Sequence, residues 1–561
     1  MSQSTLKQRT DFHSIEELQL PFMTFLSILR HLLQSPRSHY DAFVTSEFRL
    51  KNDEFVQQVI GLATALKKEW KLKKGDKVAL LFWNQPEFFV SFFALRLIGA
   101  VPVPINILMT PQDMGYVLAH AEITGILATE ILALQLAEQK NCSVEQLPFP
   151  LLIANAAESE KSSFEKKISF YAPAIHTLED ELDAFDALMR SEKSSNNELA
   201  FLIYTSGTTG FPKGVMLSER NILSNLAGFQ TALNIQRDGE RFLLGLPVFH
   251  CYGLICALFA IAERATVICV PRFNPKQIVD FLKTEAVTVL PLVPTMFTVL
   301  LQAAKRKASH EEVHSEKPFP TLHTCISGGA ALPETLLQTI QENLNVQVLE
   351  GYGLSETSPV IAVNTAQRGA VAGAVGQPLV NLRLRLVNHE TGDVLPIEAG
   401  KASAEGEIQV AGDSVMLGYY KNEDETAKVL CADGWFKTGD LGHIDAEGLL
   451  RISGGRLKDL IIRAGENIAP LPIERILVQH EAVAHVAVLP LKDEKLGEAL
   501  CACIELMPES KEIDQKTLQQ ELSALVRQQL SASYTPDAYR FFDELPKNPT
   551  GKIVKKQIVL Y

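Results

Sequence analysis

The stretch that most constrains this chain begins apolar and ends in hydroxyls and glycines. It reads Leu199-Ala-Phe-Leu-Ile-Tyr-Thr205, then Ser206-Gly207-Thr208-Thr209-Gly210-Phe-Pro-Lys213-Gly214. The first half predicts a buried strand. The second predicts a loop able to wrap an anion with backbone N–H and side-chain hydroxyl donors, because glycine permits close approach and Lys213 adds positive charge. It is not a Walker loop, since Pro212 stands where G-x-x-x-x-G-K-[ST] requires its second glycine. A solvated Ser/Thr/Gly turn is the plain alternative, and the fixed pattern after a buried strand weighs against it.

Around this loop the chain reads as α/β. Val78-Ala-Leu-Leu-Phe-Trp83 is continuously apolar, as strands buried on both faces of a parallel sheet are. Asn84 and Glu87 have capping-box spacing, Pro86 suits a first helical turn, Gly99 can close the helix, and Val101 to Pro104 starts the next strand. Val287 to Leu292 is the clearest further strand. Polar stretches at Glu158 to Lys167, Glu179 to Asn197 and Lys305 to Pro318 predict surface excursions. After Trp435 the pattern turns to short strands and tight turns: Leu441 to Asp445, Leu449 to Ser453 and Leu457 to Ile462. These signals place a domain junction near Gly455. The expected fold is a large N-terminal domain, residues 1–455, of parallel and mixed sheets flanked by helices, followed by a small mobile α+β domain, residues 456–561.

Composition removes several classes. With 53 Lys and Arg against 66 Asp and Glu, the formal charge of −13 disfavours a nucleic-acid partner held through phosphates. Apolar residues at 46% and charged ones at 21% are ordinary globular usage. Eight cysteines without a C-x-x-C pair read as reduced core thiols. The first twenty residues carry Lys7, Arg9, Asp11, Glu16 and Glu17 and lack the apolar run of a signal peptide, so a cytoplasmic location is expected. The uncharged windows Leu243 to Ala262 and Ala286 to Ala304 are long enough to suggest membrane spans, but their internal Gly and Pro residues predict strand, loop and buried helix. Loose peripheral association with a membrane stays open.

The Thr205–Gly214 run resembles the AMP-binding signature of the adenylate-forming superfamily, which includes acyl-CoA synthetases, the adenylation domains of peptide synthetases and firefly-type luciferases. Further segments follow in the family's order from about Asp76 to Lys552. Glu350-Gly351-Tyr352-Gly353-Leu-Ser-Glu356-Thr357 resembles the adenine and metal segment. A purine can stack on Tyr352 beside backbone opened by Gly351 and Gly353, while the resemblance implies Thr357 on the α-phosphate and Glu356 on Mg²⁺, a hard cation that prefers oxygen. Ser327-Gly328-Gly329-Ala330 is similar to the stretch beside the adenine. Trp435-Phe-Lys-Thr438-Gly439-Asp440 resembles the ribose segment, a carboxylate being a natural acceptor for two vicinal hydroxyls.

Gly455-Arg456-Leu457-Lys458-Asp459 resembles the family's hinge, which implies Arg456 on ribose or phosphate and Lys458 as the pivot. Pro546-Lys547-Asn-Pro-Thr550-Gly551-Lys552 resembles the catalytic-lysine segment, where a preorganised ammonium opposes the charge that develops on the phosphoryl oxygens. His250 stands where the family often has a histidine or aromatic beside the substrate carboxylate, and a hydrogen-bonded core histidine is the alternative. One departure is visible. The family's Pro-x-Glu-Ile-Glu is here Pro470-Leu-Pro472-Ile-Glu474; proline is tolerated at a helix start, so the helix is expected to survive, with the acceptor face near Gly465 altered.

The resemblance implies a two-step ligase. ATP and a medium- or long-chain fatty acid give acyl-AMP and pyrophosphate, and coenzyme A then takes the acyl group. An acyl carrier protein as acceptor, an aryl acid as substrate, a luciferase-like oxidation and a nucleotide sensor without turnover are the rivals.

Overall fold

The computed structural model describes residues 24–33, 40–139, 151–154, 197–205, 211–235, 239–308, 318–456, 459–463, 466–493, 496–530, 532–547 and 553–560. The expected strand–helix–strand unit forms as Lys77–Leu81, Pro86–Leu97 and Val101–Pro104, with the strands parallel and Lys77 opposite Val101. All twelve residues of the helix are buried, as continuous apolarity requires. Asn84 does not cap it. Its Nδ2 donates to the carbonyls of Leu244, Leu246 and Val270, and its Oδ1 accepts from the Val248 N–H at 3.0 Å, so it ties together strand ends from a different sheet.

That other sheet has nine strands. Its middle is parallel, running Asp41–Val44, Thr266–Cys269, Arg241–Leu244, Val289–Leu292, Thr324–Ser327 and Gln347–Gly353, with antiparallel strands at either edge. The two uncharged windows resolve into the strands Arg241–Leu244 and Val289–Leu292 and the helices Cys251–Ala262 and Pro294–Ala308. Among the described residues no helix is long and apolar enough to cross a membrane. Helices cover both faces, and the carboxyl ends of adjacent parallel strands converge where open α/β sheets commonly bind ligands.

The Leu199–Thr205 strand is buried as expected but is one arm of an antiparallel hairpin. It pairs with Lys213–Ser218, Thr205 facing Lys213, and Gly418–Tyr419 adds a third strand. The residues after Trp435 form the hairpin Phe436–Ile444 and Leu450–Arg456 within a further five-stranded sheet. The expected strand from Leu457 to Ile462 is shorter, covering Ile461–Arg463. It begins the sheet of a distinct C-terminal α+β domain, whose long hairpin Val483–Asp493 and Gly497–Leu506 carries the helices Pro470–Leu477 and Gln515–Gln529. The helix containing Pro472 survives, with proline in its first turn. Cys501 and Cys503 are buried free thiols in this domain's second core cluster, beside Ala487, Leu545 and Ile558. The polar stretches expected at the surface lie outside the described residues, apart from 197, 305–308 and 318.

Candidate active site

Three chain segments meet at one cavity of about 210 Å³. His250 to Gly253 enter at the start of the Cys251–Ala262 helix, Ser327 to Ala330 leave the Thr324–Ser327 strand, and Gly351 to Gly353 end the neighbouring strand. Of the residues singled out in the sequence, the cavity gathers His250, Gly328, Gly329, Ala330, Gly351, Tyr352 and Gly353. Phe229, Val293, Val360 and Val363 add an apolar wall.

Steric demand explains the glycines. A Cβ on Gly353 would lie 1.9 Å from the carbonyl oxygen of Pro359, and one on Gly328 would lie 3.3 Å from the Tyr252 ring. Gly329 has a φ of +79°, a conformation costly for other residues. The two glycine segments are tied together by Glu350, which is buried. Its carboxylate accepts the Leu332 N–H at 3.0 Å, and its own N–H donates to Asn364 Oδ1 at 2.7 Å. Burial pushes the Glu350 carboxyl up to about 7, opposed by the Leu332 N–H and by Arg475 of the C-terminal domain.

Tyr352 and Asp440, expected on base and ribose, touch. The Tyr352 hydroxyl donates to Asp440 Oδ2 at 2.6 Å. Asp440 also lies opposite Arg456 in the antiparallel register, so the expected ribose pair shares one rung of a hairpin. At the helix start His250 is half-buried, yet its Nε2 is enclosed and has no hydrogen-bond partner in the structure. Desolvation lowers its pKa to about 4, so the imidazole is neutral near pH 7.

Glu356 and Lys213 both meet Tyr419, one at its hydroxyl and one over its ring. The Tyr419 hydroxyl donates to Glu356 Oε1 at 2.7 Å, and the Lys213 ammonium sits 5.2 Å from the centre of the Tyr419 ring. Lys213 is also ion-paired with Glu425, whose carboxyl that lysine, with Lys428, lowers to about 2. Lys213, expected to add positive charge to the loop, thus shares that charge with Glu425 in the described structure. Thr357 differs as well. Its hydroxyl is fully buried, donates to the Pro359 carbonyl at 2.6 Å, and does not line the cavity. In that position it ties the turn behind Glu356, bonding the Leu354 carbonyl as well at 3.0 Å.

Thr205 ends its strand at the mouth of the loop. Ser206, Gly207, Thr208, Thr209, Gly210, Lys458, Gly465 and Lys552 lie outside the described residues, as does the side chain of Arg456. The stem beneath Lys552 is described: Lys547 bridges Ile553, and the Val554 N–H donates to the Pro546 carbonyl at 2.8 Å. Two neighbouring cations are committed elsewhere, Lys547 to Glu505 and Lys555 to Glu474, each at 2.7 Å.

Sequence reasoning missed Glu350, Tyr252, Tyr419 and Glu425. Glu350 stood inside the quoted Glu350–Thr357 segment, where an acid preceding Gly-Tyr-Gly was an available signal, and Tyr252 lies two residues after His250. Tyr419 and Glu425 reach the site through a strand pairing with no counterpart in local sequence.

The family profile for AMP-binding enzymes matches residues 34–420, and that for the AMP-binding enzyme C-terminal domain matches residues 472–552. A long-chain-fatty-acid–CoA ligase of Bacillus subtilis is 32% identical over 87% of this chain and 86% of its own length. A 2-succinylbenzoate–CoA ligase of Bacillus cytotoxicus is 30% identical over 87% of this chain and 89% of its own. The crystal structure of ATP-bound MatB from Rhodopseudomonas palustris superimposes with a TM-score of 0.78 at 26% identity, over 95% of this chain and 98% of that one. With both profiles matched in order and the glycine segments converging on one cavity, the chain belongs to the AMP-binding enzyme family, as an adenylate-forming enzyme of the acyl-CoA synthetase type.

Proposed function

We propose that this enzyme activates a medium- or long-chain fatty acid with ATP and transfers the acyl group to coenzyme A. In the first step a carboxylate oxygen attacks the α-phosphorus and the bond to pyrophosphate breaks, leaving acyl-AMP. In the second the thiol sulfur attacks the acyl carbonyl and AMP departs. The observation that carries the reading is the cavity itself. One rim is bare backbone with Tyr352 bonded to Asp440, suited to a flat base and a sugar diol, and the wall behind it is apolar.

The residues divide the work. Gly328, Gly329, Ala330, Gly351 and Gly353 leave room for the base against Tyr352, with Asp440 and Arg456 at the sugar. Thr205 to Gly210, with Lys213 at the exit, form the phosphate loop. His250, neutral and unpartnered, offers a single hydrogen bond to the acid, so its contribution is orientation and not charge. Lys552 supplies the cation, and Lys458 is the pivot that exchanges it for the Gly465 strand when the thiol arrives, with the domain boundary at 455/456.

Glu356 fits Mg²⁺. It is half-buried, one of its oxygens accepts from Tyr419, and among the described residues no cluster of three ligating side chains competes for a softer metal. Mg²⁺ commonly takes one or two carboxylates and completes its shell with phosphates and water. Bound there, it would neutralise phosphate charge.

Acid-dependent ATP–pyrophosphate exchange over a panel of fatty and aryl acids tests the first step. Thioester formation with coenzyme A or with acyl carrier protein tests the second. Exchange limited to aryl acids, or thioester on carrier protein alone, overturns the substrate or the acceptor respectively. Lys552→Ala should lose on the order of 10²- to 10³-fold in exchange; an unchanged rate would remove that lysine from the chemistry.

A further inference from the structure

One ring closes the apolar wall of the cavity. Phe229 lines the cavity yet is itself buried, because it packs against Phe259. The two rings meet edge-on, centres 5.2 Å apart and planes 71° apart, and Phe259 meets Phe242 in the same manner at 5.9 Å and 63°. Phe259 and Phe242 are buried and do not line the cavity, so the wall is three rings deep. Phe229 is also held in place by its helix, Glu219–Leu233. One turn earlier on that helix, Asn225 Nδ2 donates to the carbonyls of Thr357 at 3.1 Å and Val360 at 2.8 Å. A Cβ on the adjacent Gly228 would lie 2.4 Å from Asn381 Oδ1 and 3.0 Å from Leu379, so the helix is seated too closely to roll.

A second helix sets the distance from His250 to this wall. His250 precedes Cys251–Ala262, on which Cys251, Ile255 and Phe259 are spaced by four and share one face. Cys251 lines the cavity, and Phe259, the ring behind Phe229, comes eight positions later, about 12 Å at roughly 1.5 Å per residue. An extended hydrocarbon chain advances roughly 1.25 Å per carbon, given a 1.52 Å bond and a 111° angle, so about ten carbons fill that span.

We propose that Phe229 is the specificity-determining floor of the acid site, and that the acid is a medium-chain fatty acid of up to about ten carbons. This rests on the reading above, in which a fatty acid lies in this cavity with its carboxylate at His250, and narrows it. Each methylene buried against an apolar wall should raise kcat/KM about fourfold. The gain ends where the chain meets a ring with no room to yield, because overfilling a packed wall is itself unfavourable.

The test is pyrophosphate exchange with straight-chain acids from butyrate to palmitate. In the wild-type enzyme kcat/KM should climb with each methylene, turn over at or below about ten carbons, and be about tenfold lower or less for palmitate than for the best acid. Phe229→Ala removes the ring and should move the maximum about four carbons longer. Phe229→Leu, a smaller change that a packed core tolerates, should move it by about one carbon. The ratio of palmitate to the best acid is taken within each variant, so a smaller folded fraction leaves it unmoved. A wild-type profile still rising at palmitate, or a profile for Phe229→Leu that superimposes on the wild type, overturns the floor while leaving the ligase intact. Exchange with aryl acids alone, or with no acid, overturns the functional reading, and the floor with it.

Discussion

Two glycine-rich regions of the larger domain are built by opposite means. The Gly328–Ala330 and Gly351–Gly353 segments are fixed from within, by close backbone contact and by a buried carboxylate joining them. The hairpin around Lys213 is fixed from outside, by ring stacking on a surface helix and by an ion pair with Glu425. Close packing tolerates almost no displacement, whereas a ring stack with one exposed partner is worth roughly 1 kcal/mol and yields more readily. On the proposed assignment, a base site of fixed shape beside a more yielding phosphate side suits a reaction in which one part of the nucleotide stays bound while pyrophosphate leaves.

The comparison breaks most readily at Gly353. Gly353→Ala forces a Cβ to within 1.9 Å of a backbone oxygen that has no flexible end to move. We expect a loss of about 3 kcal/mol by overpacking, read from the urea midpoint, together with loss of exchange. The matched change on the yielding side, Phe211→Ala, removes one ring stack and should cost only about 1 kcal/mol. Equal losses at the two positions would erase the distinction.

Glu350→Gln sharpens the comparison through pH. The carboxyl's folded pKa of about 7 lies above the ordinary 4.5, so the folded state holds more protons between those values. Its contribution to stability is full below about pH 4.5 and is lost as pH rises through 7. Glutamine cannot ionise. The stability difference, variant minus wild type, should therefore grow in the variant's favour by on the order of 1–3 kcal/mol between pH 5 and pH 8, whatever its starting offset. A flat difference would mean that Glu350 is not the strained group. At His250 the sign is opposite. With a folded pKa near 4, stability falls as pH drops from about 6.5 toward 4, and His250→Ala should lower exchange equally at pH 6 and pH 8.

The smallest effect belongs to Tyr419→Phe. Removing one hydroxyl from Glu356 should cost about 1 kcal/mol or less and appear as a several-fold rise in the Mg²⁺ concentration for half-maximal exchange. An unchanged Mg²⁺ requirement would detach Tyr419 from the metal site.

Local pattern carried much of the fold. Continuous apolarity marked Val78 to Trp83 as a doubly buried strand, and the Pro and Gly residues inside the uncharged windows marked them as strand and helix. The errors have a common cause. Asn84 has the spacing of a cap and serves instead as a tie between strand ends more than 150 positions away, because a buried amide meets whichever carbonyls the packing brings. Thr357 was read as a phosphate donor, and the turn around Pro359 consumes its hydroxyl. Lys213 was read as adding positive charge to the loop, and its ion pair with Glu425 belongs to a contact that the sequence does not display.

The sequence by itself determined the family, the order of the segments and which glycines matter, because the absence of a side chain is a property of the residue and needs no partner. Tertiary structure decided which polar groups are spent and which remain available: the joining of Tyr352 to Asp440, the contact of Tyr419 with both Glu356 and Lys213, and the stacking of Phe211 on Tyr116. Hydrogen bonds, ion pairs and ring stacks are properties of pairs, and the sequence names only one member at a time.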